Sequence, residues 1–160
     1  PTLDAVFIPV GGGGLASGIS TYLAAREPEI ARIGCQPFNS PEMHASIKKG
    51  SIITESITQK TLSDGTAGGI EPDSVTFELC RDYLHEIVLV RENELSRAIY
   101  WMLENRQNFI EGAAANPVAA LFQQQERWKG KQVALILSGK RLSMDKLKKI
   151  ILPSWLGRWM

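Results

Sequence analysis

The chain has 160 residues, enough to bury a sizeable core as one domain or as the major part of a larger one. Its 18 basic and 17 acidic side chains are interleaved and leave a net charge of +1, which excludes the broad electrostatic footprint of a nucleic-acid or anionic-membrane binder. No apolar run is long enough to cross a bilayer, no signal peptide is recognisable, and two isolated cysteines, Cys35 and Cys80, predict a reducing, cytoplasmic setting.

Ala5 to Val10 is the short apolar block of a buried parallel strand. It runs into Gly11, Gly12, Gly13, Gly14 and Leu15, after which Ala16 to Arg26 has helical character. Four glycines remove every Cβ at this junction, so backbone N–H groups can wrap an anion at the positive end of the helix. A phosphate cradle is predicted there, since a plain tight turn would need only one or two glycines. Ile30 to Cys35 is a second strand and completes a βαβ unit. Pro37 to Pro41 is a turn, and Glu42 to Lys49 a short helix closed by Gly50. From Ser51 to Pro72 the chain is rich in Ser, Thr and Gly with no sustained hydrophobic period, and a long irregular segment inside a compact domain marks function.

Val75, Leu79 and Tyr83 recur at helical spacing within Ser74 to Leu84, and Glu86 to Val90 is the next strand. Glu92 to Asn108 is an amphipathic helix with Leu95, Ile99, Met102 and Leu103 on one face. Ala113 to Trp128 reads as a small-residue helix with Pro117 confined to its first turn. Lys131 to Leu137 is the last strand, and Leu142 to Ile151 a helix whose basic face collects Lys146, Lys148 and Lys149. This alternation predicts an α/β fold, a mostly parallel sheet with flanking helices, whose ligands sit beyond the carboxyl ends of the strands. Gly11 to Gly14, Gly65 and Ser138 fall at such ends or in loops able to reach them.

Isolated His44 and His85 give no zinc spacing. Gly11-x-Gly13-x-x-Ala16 matches the dinucleotide fingerprint, but Gln36 stands where that fingerprint wants an acidic residue, and no Gly-Lys-Ser/Thr closes an ATP-type loop. Five segments resemble, in order, the C-terminal half of the threonine dehydratase and serine racemase family. They are Pro9-Val10-Gly11-Gly12-Gly13-Gly14-Leu15, Asn39-Ser40-Pro41, Thr61-Leu62-Ser63-Asp64-Gly65-Thr66-Ala67, Glu111-Gly112-Ala113-Ala114 and Leu137-Ser138-Gly139. These are fold type II pyridoxal-phosphate enzymes, related to the tryptophan synthase β chain. The resemblance covers nearly the whole chain, and Gly14-Leu15 is similar to the dehydratase branch rather than to cysteine synthases.

The resemblance implies that Gly11, Gly12, Gly13, Gly14 and Leu15 cradle the phosphate of pyridoxal 5′-phosphate, and that Ser138 meets the pyridine nitrogen. Gly65 would lie near the ring and Glu111 close to the same pocket. Where relatives show Ser-Gly-Gly-Asn, this chain has Ser138-Gly139-Lys140-Arg141. The family's metal site maps to Gln36, the carbonyl of Ser40, and Glu42, which retains one charge, so no metal is expected. The Schiff-base lysine lies upstream in the family and has no counterpart here, so no catalytic residue is assigned to this chain.

The expected organisation is a cofactor-phosphate-binding domain over 1–152, lacking a lysine-bearing N-terminal half, followed by an apolar tail over 153–160. The whole enzyme would remove ammonia from L-threonine or L-serine, with the amino acid as its small-molecule partner. Serine racemisation and dinucleotide binding rank lower. A different class of reading is a non-catalytic binding protein derived from the same scaffold. Trp155, Leu156 and Trp159 in the tail predict burial in a partner, with a homodimer as the simplest closed arrangement.

Overall fold

The structure is a computed structural model that describes residues 3–156, with side chains to 152. Four strands, β1 (Ala5–Pro9), β2 (Ala31–Pro37), β3 (Glu86–Val90) and β4 (Val133–Leu135), form one parallel sheet in the order β3-β2-β1-β4. Six α-helices lie among the described residues: α1 (Gly14–Arg26), α2 (Glu42–Lys49), α3 (Val75–Tyr83), α4 (Glu92–Arg106), α5 (Gly112–Gln123) and α6 (Met144–Leu156).

Side-chain alternation along β1 divides the core in two. Ala5 and Phe7 join Ile33, Cys35, Val88 and Val90 beneath α4 and α5, where Leu95, Ile99, Val118 and Ala119 are buried. Val6, Ile8 and Val10 face the other side with Ala16, Met43, Phe77 and Cys80, beneath α1, α2 and α3. A sheet covered on both faces needs strands without polar alternation, and β1 is buried at every position. Fully buried side chains of this size, such as Phe7, Ile8, Ile33 and Leu95, each contribute about 1.5–3 kcal/mol.

The prediction of a parallel α/β sheet agrees with this architecture, and β3 and α2 have their predicted limits. Other boundaries moved for physical reasons. α1 begins at Gly14 rather than Ala16 because the left-handed Gly13 already turns the chain, and its carbonyl accepts the first helical bond from Ser17 N–H at 2.8 Å. α5 ends at Gln123, not Trp128; beyond it the chain folds in turns that bring the Trp128 ring edge-on to Phe7, with centroids 5.7 Å apart. β4 shrinks to Val133–Leu135 because its one neighbour, β1, pairs with it only through Ala5 to Phe7. A 3₁₀ turn, Asp64–Thr66, sits in the irregular segment, and α6 passes Ile151 to reach Leu156.

Pro117 is not confined to a first turn; it lies well inside α5. A proline there leaves the carbonyl of residue 113 without its N–H partner. Asn116 answers this with its own side chain: Nδ2 donates to Ala113 O at 3.2 Å and to Gly112 O at 3.3 Å. The helix therefore continues.

Candidate functional site

In the strand order β3-β2-β1-β4, the chain leaves β1 toward β2 on one side while β4 returns on the other. A crevice opens at that reversal, beyond the carboxyl ends of the strands. It holds a cavity of about 300 Å³ lined by Gly11, Gly12, Gly13, Gly14, Leu15, Gly65, Glu111 and Ser138, together with Pro9, Ala16, Thr66 and Ala113. All eight residues singled out from the sequence for this pocket thus meet in one place. The last four were missed: Thr66 and Ala113 stand inside the quoted segments but carry no chemistry that sequence alone distinguishes from spacing.

The glycine loop is shaped from the α3 side. Thr76 Oγ1 donates to Gly12 O at 2.5 Å, which points the following N–H of the planar, trans peptide the opposite way. Gly13 has φ +91, and a Cβ there would lie 2.8 Å from Met43 Cε and 2.9 Å from Thr76 Cβ, so only glycine fits. Gly12 and Gly14 differ: a Cβ on either meets no protein atom within 4 Å. Among the described residues, no N–H from Gly11 to Leu15 donates to a protein acceptor, and α1 has no side-chain cap. Those donors and the helix dipole converge on the N-terminus of α1.

The opposite wall is built by Glu111 at the N-terminus of α5. Its backbone N–H donates to Gly139 O at 3.2 Å, and Glu111 Oε2 accepts from the Arg141 N–H at 3.0 Å, so the carboxylate organises the loop after β4 that carries Ser138. A Cβ on Gly139 would fall 2.1 Å from Glu111 Oε1, which explains glycine after Ser138. Lys140 and Arg141 are exposed and do not line the cavity. The Asp64–Thr66 turn closes a third side, with Thr66 Cα 3.0 Å from where a Gly11 Cβ would be and Lys146 Nζ 2.7 Å from Asp64 Oδ2. Gly112 is pressed so close to Leu62 that a Cβ would sit 2.0 Å from its carbonyl oxygen.

Gln36, Ser40 and Glu42 lie apart from this cavity lining but near one another. Ser40 Oγ donates to Glu42 Oε2 at 2.6 Å, Thr58 Oγ1 donates to Glu42 Oε1, and Gln36 Oε1 accepts the His44 N–H at 3.0 Å. Both oxygens of the buried Glu42 carboxylate are thus held by hydroxyls, while Gln36 Nε2 is buried without a partner. Gln36, at the end of β2, presents a carboxamide where a ribose-binding carboxylate would be needed. Among the described residues no group of three or more His, Cys, Asp or Glu could hold a metal ion.

Neither thiol offers a nucleophile. Burial pushes the Cys80 thiol up to about 11 and raises Cys35 as well, so both stay protonated at neutral pH. Among the described residues, no helix is long and apolar enough to cross a membrane.

The sequence model of the family "Pyridoxal-phosphate dependent enzyme" matches residues 1–139. The chain belongs to this family. It is 40% identical over 152 residues to an L-threonine ammonia-lyase of Thermotoga maritima, spanning 94% of this chain and 37% of that protein. An L-threonine ammonia-lyase of Geobacter sulfurreducens is 34% identical, over 94% of this chain and 37% of its own length. Among solved structures, the processed form of threonine deaminase isoform 2 from Solanum lycopersicum matches with a TM-score of 0.84 and 31% identity, over 92% of this chain and 43% of that one. Serine racemase from Dictyostelium discoideum matches with a TM-score of 0.79 and 28% identity, over 89% and 45%. The pyridoxal-phosphate enzyme fold is therefore shared along nearly all of this chain, which spans well under half the length of the curated ammonia-lyases quoted.

Proposed function

We propose that this chain is the part of a pyridoxal-phosphate-dependent L-threonine or L-serine ammonia-lyase that holds the cofactor's phosphate. The observation that carries the reading is the run of N–H donors from Gly11 to Leu15, which have no protein acceptor and border a cavity shared with Gly65, Glu111 and Ser138. The residues fit the group: positive helix end, glycines with open space where a Cβ would stand, and a hydroxyl at the far side. When bound, the cofactor supplies an electron sink for cleavage at the amino acid's α and β carbons.

This chain's own contribution is binding and orientation. The Gly11–Leu15 amides would take the phosphate, and the Ser138 hydroxyl the ring nitrogen. A hydroxyl rather than a carboxylate leaves that nitrogen largely unprotonated, which suits β-elimination of a hydroxy-amino acid. Glu111 fixes the loop that presents Ser138 through the Arg141 N–H. Gly12, Gly14, Gly65 and Ser138 are exposed, so the cavity has an open side for the lysine-bearing portion of the enzyme. A lysine pKa is lowered by a desolvated pocket, which that covering portion would create. The division at residue 152 and a homodimer made through the tail belong to the same proposal; the side chains of Trp155, Leu156 and Trp159 lie outside the described residues.

Amide NMR tests the reading. Inorganic phosphate and pyridoxal 5′-phosphate should shift the Gly11–Leu15 amides, whereas pyridoxal without its phosphate should not, and the chain alone should turn over no threonine. Unmoved Gly11–Leu15 amides at saturating phosphate would refute it.

A further inference from the structure

We infer that Asn116 is a positioning residue for the cavity, holding the Asp64–Thr66 turn, and with it Gly65 and Thr66, against the start of α5. The inference rests on the proposed function. Asn116 is fully buried and does not itself line the cavity. Its Nδ2 is shared among three acceptors, and the shortest of the three contacts, 2.7 Å, goes not to its own helix but to Ser63 Oγ. Repairing the helix at Pro117 needs only the contact to Ala113 O. The bond to Ser63 is a second task.

The direction of donation is fixed from both ends, by the Asn116 amide and by the Ser63 carbonyl. An amide Nδ2 can only donate, so Ser63 Oγ accepts from it. Because the single Thr66 Oγ1 proton goes to Ser63 O, at 3.1 Å, the Ser63 hydroxyl proton is the one left for the 2.5 Å contact between the two hydroxyls. Each hydroxyl proton is used once, and the relay ends by closing the turn on itself. The consequence reaches the cavity from two sides. A Cβ on Gly65 would be 3.2 Å from Ala113 Cβ and 3.6 Å from Glu111 Oε1, and one on Gly11 would be 3.0 Å from Thr66 Cα. The turn is thus wedged between α5 and the glycine loop. Its other tethers, Lys146 to Asp64 and Glu92 to Thr61 and Leu62, hold it from outside.

Two variants separate the tasks. In Asn116→Ala combined with Pro117→Ala, the restored N–H at 117 can bond Ala113 O, so α5 stays whole while the turn loses its anchor. In Ser63→Ala, the helix repair by Asn116 is untouched and only the relay is cut. Hydrogen exchange on the ligand-free protein should speed up about five- to ten-fold at Thr66 and Ala67, whose N–H groups close the turn on Ser63 O and Asp64 O, in both variants, with residues 118–122 unchanged. The affinity for inorganic phosphate, read at the Gly11–Leu15 amides, should fall in step. Unchanged exchange at Thr66 and Ala67 in both variants overturns the inference, and so does unchanged phosphate affinity once the turn has loosened. A wild-type chain that binds no phosphate would refute the cofactor reading alone, leaving the exchange rates to decide whether Asn116 holds the turn.

Discussion

Gly13→Ala is the sharpest test of how the cavity is built. Gly13 sits at φ +91, and placing an L residue in the left-handed region costs about 1–2 kcal/mol. The new methyl would also lie 2.8 Å from Met43 Cε and 2.9 Å from Thr76 Cβ. The flexible end of Met43 can move aside, but Thr76 Cβ is fixed to the first turn of α3, and relieving that overlap adds about 1–2 kcal/mol. The total is about 2–4 kcal/mol, or about 4–16 °C in Tm for a chain of this size. Gly14→Ala is the control, because a Cβ there meets nothing within 4 Å and the residue already begins α1. Its stability should stay within about 0.5 kcal/mol of wild type or rise slightly. Urea denaturation with a common m-value compares the two directly. Equal midpoints for Gly13→Ala and Gly14→Ala would refute the claim that the loop is held in place from α3.

Burial, followed by Lys48 for His44 and Arg32 for His85, holds both imidazoles below the usual value of 6.5. The folded chain therefore binds fewer protons than the unfolded one once pH drops below 6.5, so stability is level above that pH and declines through the window down to the folded values. Urea midpoints at pH 7.5 and 5.5 should show the decline, and His44→Gln with His85→Gln should flatten it; a midpoint unchanged in wild type refutes the assignment. Deleting Pro153 to Met160 should move the sedimentation profile from dimer toward monomer or aggregate, and an unchanged monodisperse species would remove the tail from any role in association.

The sequence by itself determined the βαβ opening, the sheet covered on both faces and the residues that converge on the cavity. Those features follow from local rules: apolar blocks with no polar alternation must be buried on both sides, and a glycine run between strand and helix leaves donors that no side chain can cap. The limits of α5 and β4 were not legible, because they depend on partners distant in sequence. Trp128 leaves the helix pattern to pack on Phe7, and β4 is only as long as the part of β1 beside it. Tertiary structure also decided that Pro117 can lie inside a helix. A side chain one residue earlier replaces the missing donor, and only the folded chain brings Ser63 within reach of that same amide. The directions of Lys140 and Arg141 were likewise open from sequence, since a loop can present long cations either way. The Arg141 N–H bond to Glu111 fixes the backbone of that loop, and both side chains remain in solvent.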